Sequence, residues 1–180
     1  MKLLSALVLA LSLSVVASAQ KITPETQKTA AAMGGPTIAV FAAQTMDGQK
    51  IDTAALKGKI IVLNLWFVNC PNCVEEIKVL NDLVDQYKGN SDVVFYGLAA
   101  SRKPDLEKFL AKNPFKYTVV PNAQMIILSK FGTPDKSGNI DIPFPMHYVL
   151  DREGKVIYKA QGIKGIDGMK ATLAAQLGKK

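Results

Sequence analysis

Cysteine is scarce in this sequence of 180 residues, which contains two cysteines, one histidine and one tryptophan. Two cysteines form at most one internal disulfide, so the chain is not a small domain held together by several crosslinks. A four-cysteine zinc site is excluded for the same reason. A disordered or collagen-like chain is excluded by composition, because 48% of the residues are hydrophobic and 21% are charged. The length suits one domain with a buried core.

Acidic residues are also few, since the sequence contains 15 of them against 22 basic residues and the formal net charge is +7. The basic residues are nevertheless dispersed, and no run of them is longer than two, as at Lys179-Lys180. Because the sequence has no RNA- or DNA-binding motif either, we expect a solvated basic surface and no nucleic-acid partner.

The first nineteen residues have the pattern of a bacterial secretory signal. Lys2 precedes an apolar run from Leu3 to Val16, and Ala17-Ser18-Ala19 then supplies the small residues that a signal peptidase requires. The run is short for a membrane span, which favours cleavage after Ala19, although an uncleaved anchor is the alternative. We therefore expect a periplasmic or secreted protein, in surroundings where thiols tend to be oxidised.

Strand and helix patterns alternate after this leader. The run Ile60 to Phe67 is nearly continuously apolar, which is typical of a central strand covered on both faces. A helical repeat follows at once and ends at Gly89, and turn residues predict hairpins around Asp47-Gly48 and Asp151 to Gly154. The order predicts an α/β fold with three layers, in which helices flank a central mixed sheet and a β-hairpin extends the N-terminus. The predicted organisation is a signal peptide at 1–19, an N-terminal arm at 20–36 and one domain at 37–180.

Cys70 and Cys73 lie where the central strand meets the following helix. Cys70 is at the predicted N-cap, and Pro71 occupies the first helical position, where its missing N–H costs nothing. Unpaired backbone N–H groups and the helix dipole favour a negative sulfur there, so we expect Cys70 to be the attacking thiolate. Cys73, one helical turn later, would displace a mixed disulfide by forming the Cys70–Cys73 bond.

Two other interpretations of the cysteine pair are an inert disulfide and a metal site. A ring of four residues constrains the unfolded chain little, so it would stabilise the fold weakly. Zinc would need two more ligands, and the sequence offers His147 and a carboxylate. Thiol–disulfide exchange is the interpretation that we prefer.

The stretch Trp66-Phe67-Val68-Asn69-Cys70-Pro71-Asn72-Cys73 resembles the active-site segment of thioredoxin-fold proteins, in particular the exported TlpA/ResA-like thiol–disulfide oxidoreductases. The resemblance extends from about Ile38 to Leu177. It implies a thioredoxin-like fold and a protein-disulfide oxidoreductase. It also implies protein thiols and disulfides as substrates, a membrane-embedded electron donor as a partner, and no diffusible cofactor. We prefer the role of a reductant, with an oxidant as the alternative, because the reduction potential of such cysteine pairs varies widely across the fold.

The resemblance assigns roles to residues outside the cysteine pair. In this family a cis-proline opposes the cysteines, and Pro145 matches it, with Pro143 as the competing candidate. Phe144 would then expose its backbone to a substrate strand, and Trp66 would be core or a wall beside the site.

Glu76 matches an acidic residue that this family places near the second cysteine. The match implies that Glu76 takes the proton of Cys73 during attack. A first-turn residue that the helix dipole favours is the alternative. Asn64 stands where cytosolic thioredoxins carry a buried acid, and its amide cannot titrate.

A second hypothesis concerns His147, which follows Pro145 by two positions and points to the same face of its strand. Together with Cys70 and Cys73 it would form a Cu(I) site in a copper-binding or copper-delivery module similar to the Sco-type proteins. The cysteines of those proteins are usually spaced one residue wider, and a packed histidine is the simpler interpretation. A thiol peroxidase ranks last, because Phe67 stands where such enzymes usually have Thr or Ser.

Overall fold

A computed structural model describes residues 40–178, so the predicted signal peptide and N-terminal arm lie outside the described residues. The strands are β1 (Ala42–Gln44), β2 (Lys50–Asp52), β3 (Ile60–Trp66), β4 (Val93–Ala99), β5 (Thr118–Val120), β6 (Thr133–Pro134), β7 (Ile140–Asp141), β8 (Met146–Leu150) and β9 (Val156–Gln161). The helices are α1 (Pro71–Gln86), α2 (Lys103–Leu110), α3 (Gln124–Phe131) and α4 (Ile166–Leu177), with 3-10 turns at Thr53–Leu56 and Ile163–Gly165. Within residues 40–178, no helix is both long enough and apolar enough to cross a membrane.

The central sheet has five strands in the order β5-β4-β3-β8-β9. β3 pairs in parallel with β4 on one side and antiparallel with β8 on the other. All seven residues of β3 are buried, as its continuous apolar sequence predicts for a strand covered on both faces. The predicted mixed α/β fold with its central sheet is confirmed.

Two hydrophobic clusters fill the space on the sheet. One packs helix residues against the central strands, and its helix members are Leu80 and Leu83 of α1 and Ile166, Met169 and Leu173 of α4. The other includes residues of α3, β3, β4 and β8, among them Ile127, Phe131, Leu63, Leu98 and Tyr148. A buried side chain of this size contributes about 1.5–3 kcal/mol, so these clusters supply the main stabilisation of the layers.

The N-terminal hairpin is present, because β1 and β2 pair antiparallel around a turn in which Gly48 has a φ of 87°. The segment after it, Thr53–Leu56, forms a 3-10 turn. Residues 133–145 contain a small hairpin of β6 and β7, which the sequence patterns above do not predict. Its turn depends on a side chain: Asp135 Oδ1 accepts the N–H groups of Ser137 and Asn139.

Candidate active site

Cys70 and Cys73 form a disulfide at the N-terminus of α1, with an S–S distance of 1.99 Å. Cys70 is the N-cap residue, and its Sγ accepts the backbone N–H of Cys73 at 3.2 Å. Pro71 occupies the first turn of the helix, as predicted. Both cysteines are nearly buried, at 4% and 3% exposure. A sulfur in this position receives a polar contact from the helix end, which favours the charged form of a thiol once the bond is reduced.

An aromatic cluster lies against the disulfide. Trp66, the last residue of β3, packs with its ring centroid 5.6 Å from that of Phe109 and 5.5 Å from that of Phe115. It belongs to the same buried cluster as the two cysteines, and 1% of its surface is exposed. Trp66 therefore supports the disulfide from the core side and has almost no surface to offer a substrate.

A groove with a volume of about 310 Å³ borders the Cys70–Cys73 segment, because Asn72, which lies between the two cysteines, is one of its lining residues. The peptide bond between Phe144 and Pro145, two of its lining residues, is cis. Pro145 O accepts the backbone N–H of Gly162 at 3.1 Å, which joins the two loops on that side of the groove. The ring of Phe144 meets that of Phe67 edge to face at 5.2 Å. The groove reaches α1 at Asn72, Glu75 and Glu76, so a chain lying in it would pass close to the cysteines.

Glu76 does not lie on the helix surface as a first-turn acid would. It is 1% exposed, whereas its neighbour Glu75 is exposed. Its Oε2 lies 3.2 Å from Nε2 of His147, which is completely buried. The distance is that of an ion pair, although the angles are not those of a hydrogen bond. The Oε1 atom makes no hydrogen bond within residues 40–178.

The partners of His147 follow from the sheet. His147 on β8 is directly opposite Asn64 on β3. The Nδ2 atom of Asn64 is 3.3 Å from Nδ1 of His147. Asn64, His147 and Glu76 thus form a buried polar chain that leads from the middle of the sheet to the helix that carries the cysteines.

This chain bears on the copper hypothesis for Cys70, Cys73 and His147. Each ring nitrogen of His147 faces a protein group, Asn64 on one side and Glu76 on the other. In the part of the chain that the structure describes, no group of three His, Cys, Asp or Glu residues is arranged to hold a metal ion. The structure brings His147 to Glu76 and not to a metal cluster with the cysteines.

Sequence reasoning missed the contact between Glu76 and His147. A signal was available, because Asn64 and His147 are polar residues within otherwise apolar buried strands, and such groups normally have polar partners. What the sequence did not contain was the register of β3 against β8 or the angle at which α1 crosses the sheet.

Tyr117 is a further polar residue at this place. It is 3% exposed, and its hydroxyl has no hydrogen-bond partner within the described residues. Burial raises the pKa of the Tyr117 hydroxyl above its ordinary value of 10.0, and the neighbouring charge of Glu76 raises it further. The hydroxyl therefore stays protonated beside Glu76 at any physiological pH.

A mixed five-stranded sheet, with a Cys-Pro-Asn-Cys disulfide at the helix that follows its central strand and a cis-proline at the adjoining groove, defines a thioredoxin-like domain. The chain belongs to the AhpC/TSA family, whose sequence profile matches residues 35–159.

Two curated relatives are similar to this chain in sequence. The chain is 26% identical over 122 residues to the thiol-disulfide oxidoreductase ResA of Bacillus thuringiensis subsp. konkukian, an alignment that covers 68% of this chain and 66% of that protein. It is 26% identical over 131 residues to ResA of Geobacillus thermodenitrificans, over 73% of this chain and 70% of that one. The predicted resemblance to ResA-like proteins is confirmed. The chain spans about two thirds of the length of the first of these relatives.

Solved structures show the same fold. The crystal structure of a putative thiol:disulfide interchange protein DsbE from Chlorobium tepidum superposes with a TM-score of 0.64 at 22% identity. The match covers 79% of this chain and 96% of that one.

The raised pKa of Tyr117 predicts a loss of stability in alkali. Above pH 10 the unfolded tyrosine loses its proton while the folded one keeps it, so the free energy of unfolding falls by about 1.4 kcal/mol per pH unit for this group. In Tyr117→Phe the fall between pH 10 and 11.5 should be shallower by that amount. Urea titrations of both proteins at several pH values measure the slopes, and equal slopes would contradict the assignment.

Proposed function

We propose that the protein is an exported thiol–disulfide oxidoreductase that reduces disulfides of other proteins. The observation that carries the proposal is the Cys70–Cys73 disulfide at the N-terminus of α1, beside a groove lined by Phe144 and Pro145. The names of the ResA relatives support this chemistry. Membership of the AhpC/TSA family is compatible with it, and the closely spaced pair supplies both thiols of the exchange within one site.

The first step is attack by the reduced protein on a substrate disulfide. The Cys70 thiolate forms a bond with one substrate sulfur, the substrate disulfide breaks, and the other substrate sulfur leaves as a thiolate. The N-terminus of α1 stabilises the Cys70 thiolate, because Sγ already accepts a backbone N–H there. A substrate segment in the groove would pair with backbone next to Pro145.

The second step releases the substrate. Cys73 gives its proton to the Glu76 carboxylate, and the resulting thiolate attacks Sγ of Cys70. The mixed disulfide breaks, the substrate leaves as a thiolate, and the Cys70–Cys73 bond forms. Two electrons have then passed from the protein to the substrate. Glu76 suits this role because it lies one helical turn after Cys73, is buried and lines the groove through which a proton can reach water.

Export and the reducing direction are parts of the same proposal. Support for export comes from the signal pattern of residues 1–19. In an oxidising compartment a reductant must be recharged, and we propose a membrane-embedded dithiol donor as the partner that reduces the Cys70–Cys73 bond.

Substitution of either cysteine tests the two steps separately. Cys70→Ala lacks the attacking thiolate, so its reduction of insulin disulfides should fall to the background rate. Cys73→Ala still attacks but does not resolve, and it should accumulate mixed disulfides that mass spectrometry detects under non-reducing conditions. The double variant is the control and should form neither product. Activity retained by Cys70→Ala would overturn the proposal.

Replacing Glu76 tests the proton transfer. In Glu76→Gln the decay of a mixed disulfide between Cys70 and a model peptide should slow by about 10²-fold near neutral pH, because the proton acceptor of Cys73 is gone. Stopped-flow measurements of single turnovers give this rate. The exposed neighbour offers a matched control, since Glu75→Gln changes the net charge equally at the same helix end. Equal rates in the two variants would remove Glu76 from the mechanism.

One preparation checks both export and direction. Protein purified from the periplasm of an expressing bacterium should begin at Gln20, as its intact mass would show. Its reduction potential, measured by equilibration with glutathione, should lie below about −220 mV, the range of reducing thioredoxin-like proteins. A potential near about −120 mV would instead make the protein an oxidant. Retention in the cytoplasm with residues 1–19 intact would contradict export.

A further inference from the structure

We infer that His147 is a positioning residue for Glu76, holding Oε2 of the carboxylate so that Oε1 is the oxygen that takes the proton of Cys73. The inference rests on the proposed function and adds a residue to its second step. The juxtaposition that carries it is the 3.2 Å contact between His147 Nε2 and Glu76 Oε2 inside the core. Within residues 40–178 neither carboxylate oxygen makes a hydrogen bond, and His147 is the ion-pair partner of Oε2 alone.

The position of His147 is determined by the sheet. β8 pairs along β3 with His147 opposite Asn64, and both residues are buried between neighbouring strands. The Nδ2 atom of Asn64 faces Nδ1 of His147, and an amide nitrogen can only donate, so Nδ1 is the accepting nitrogen of a neutral ring. The ring thereby places Nε2 3.2 Å from Oε2 of Glu76 from a rigid element, and this close contact limits the rotation of the carboxylate.

The other groups around Glu76 leave Oε1 available. On its own helix Cys73 precedes it by three residues, a spacing that makes the two side chains neighbours on the helix surface. From the segment before β5, the protonated hydroxyl of Tyr117 lies within the electrostatic reach of Glu76. The loop after β9 contributes Gly162, where a Cβ atom would stand 4.0 Å from Oε1. This glycine has a φ of 70°, a left-handed conformation that favours a residue without a side chain. Lys164 and Glu75 are charged groups on the exposed wall of the adjoining groove.

This arrangement assigns different tasks to the two carboxylate oxygens. The proton of Cys73 passes to Oε1, the Cys73 thiolate attacks Cys70, and the substrate thiolate leaves. The same proton then passes from Oε1 to water in the groove or to the departing thiolate, which restores the carboxylate. His147 takes no part in the proton transfer and stays outside the reacting atoms. Without His147 the carboxylate is free to turn away from Cys73, and a misplacement of about 1 Å can cost up to about 10²-fold in rate.

Two substitutions of His147 separate positioning from packing. His147→Leu fills the space without a donor, and the decay of the mixed disulfide on Cys70 should slow by roughly tenfold or more. His147→Gln presents an amide N–H and should recover most of the rate at neutral pH. The first step, formation of the mixed disulfide, should keep its rate in both variants. Stopped-flow single turnovers with a peptide disulfide resolve the two steps.

Coupling to Glu76 is the second readout. If His147 acts through Glu76, adding His147→Leu to Glu76→Gln should slow the reaction little further, so the two effects should not add. The pH profile of mixed-disulfide decay should also move in His147→Leu and stay near that of the wild type in His147→Gln. If His147 were purely structural, the effects of His147→Leu and Glu76→Gln would add, and the pH profile of His147→Leu would not move.

Val149→Ala is the matched control, because Val149 lies two residues further along β8 and is also completely buried. It removes packing without touching the polar chain, so it should lower stability and leave the decay rate unchanged. If His147→Leu folds and resolves at the wild-type rate, the inference is wrong while the proposed function stands. If Glu76→Gln also resolves normally, or Cys70→Ala remains active, the proposed function itself has failed.

Discussion

Strand β3 is paired with β4 and β8 on its two edges and is buried along all seven residues. A strand held in this way has no freedom to shift its register, because a slip of one residue would exchange the side chains of its two faces. The point at which β3 ends is therefore fixed, and with it the place where the chain enters α1. The disulfide is at that place, so the rigidity of the central strand is what positions the two sulfurs against the groove.

The same rigidity gives the polar residues of the core their arrangement. Asn64 is in β3, and His147 stands opposite it in β8. Burial of a polar group away from water costs folding free energy unless the group finds a hydrogen-bond partner, and a buried charge is tolerated when an opposite charge or dipole lies next to it. The Glu76–His147 contact meets that requirement for the helix that carries the cysteines. Within residues 40–178, the two oxygens of Glu76 and the Tyr117 hydroxyl make no hydrogen bond, which is unusual for groups so deeply buried.

Most of the fold can be predicted from the sequence, because local residue patterns determine it. The continuous apolar run of β3, the helical spacing of α1 and the turn residues before β9 each reflect contacts with near neighbours in the chain or burial of a whole face. The cysteine pair was equally accessible, since its helix N-cap position depends on Pro71 and the adjoining strand. The β6–β7 hairpin could not be predicted, because its turn depends on the hydrogen bonds of one aspartate. The contact between His147 and Glu76 could not be predicted either, because it joins residues 71 positions apart through sheet register and helix packing.

The buried pair of Glu76 and His147 suits the proposed proton transfer, because that step moves a negative charge within the buried region without adding to its net charge. In the proposed second step a proton leaves Cys73 for Glu76, and the negative charge moves from the carboxylate to a sulfur one helical turn away, at the end of α1 where the dipole is positive. The net charge of the buried region is the same before and after the transfer. Because an uncompensated charge in the core would be strongly unfavourable, a transfer that conserves the net charge suits a carboxylate as deeply buried as Glu76. The proposed step thereby accounts for an acidic residue at this buried position of α1, whereas the neighbouring Glu75 is exposed.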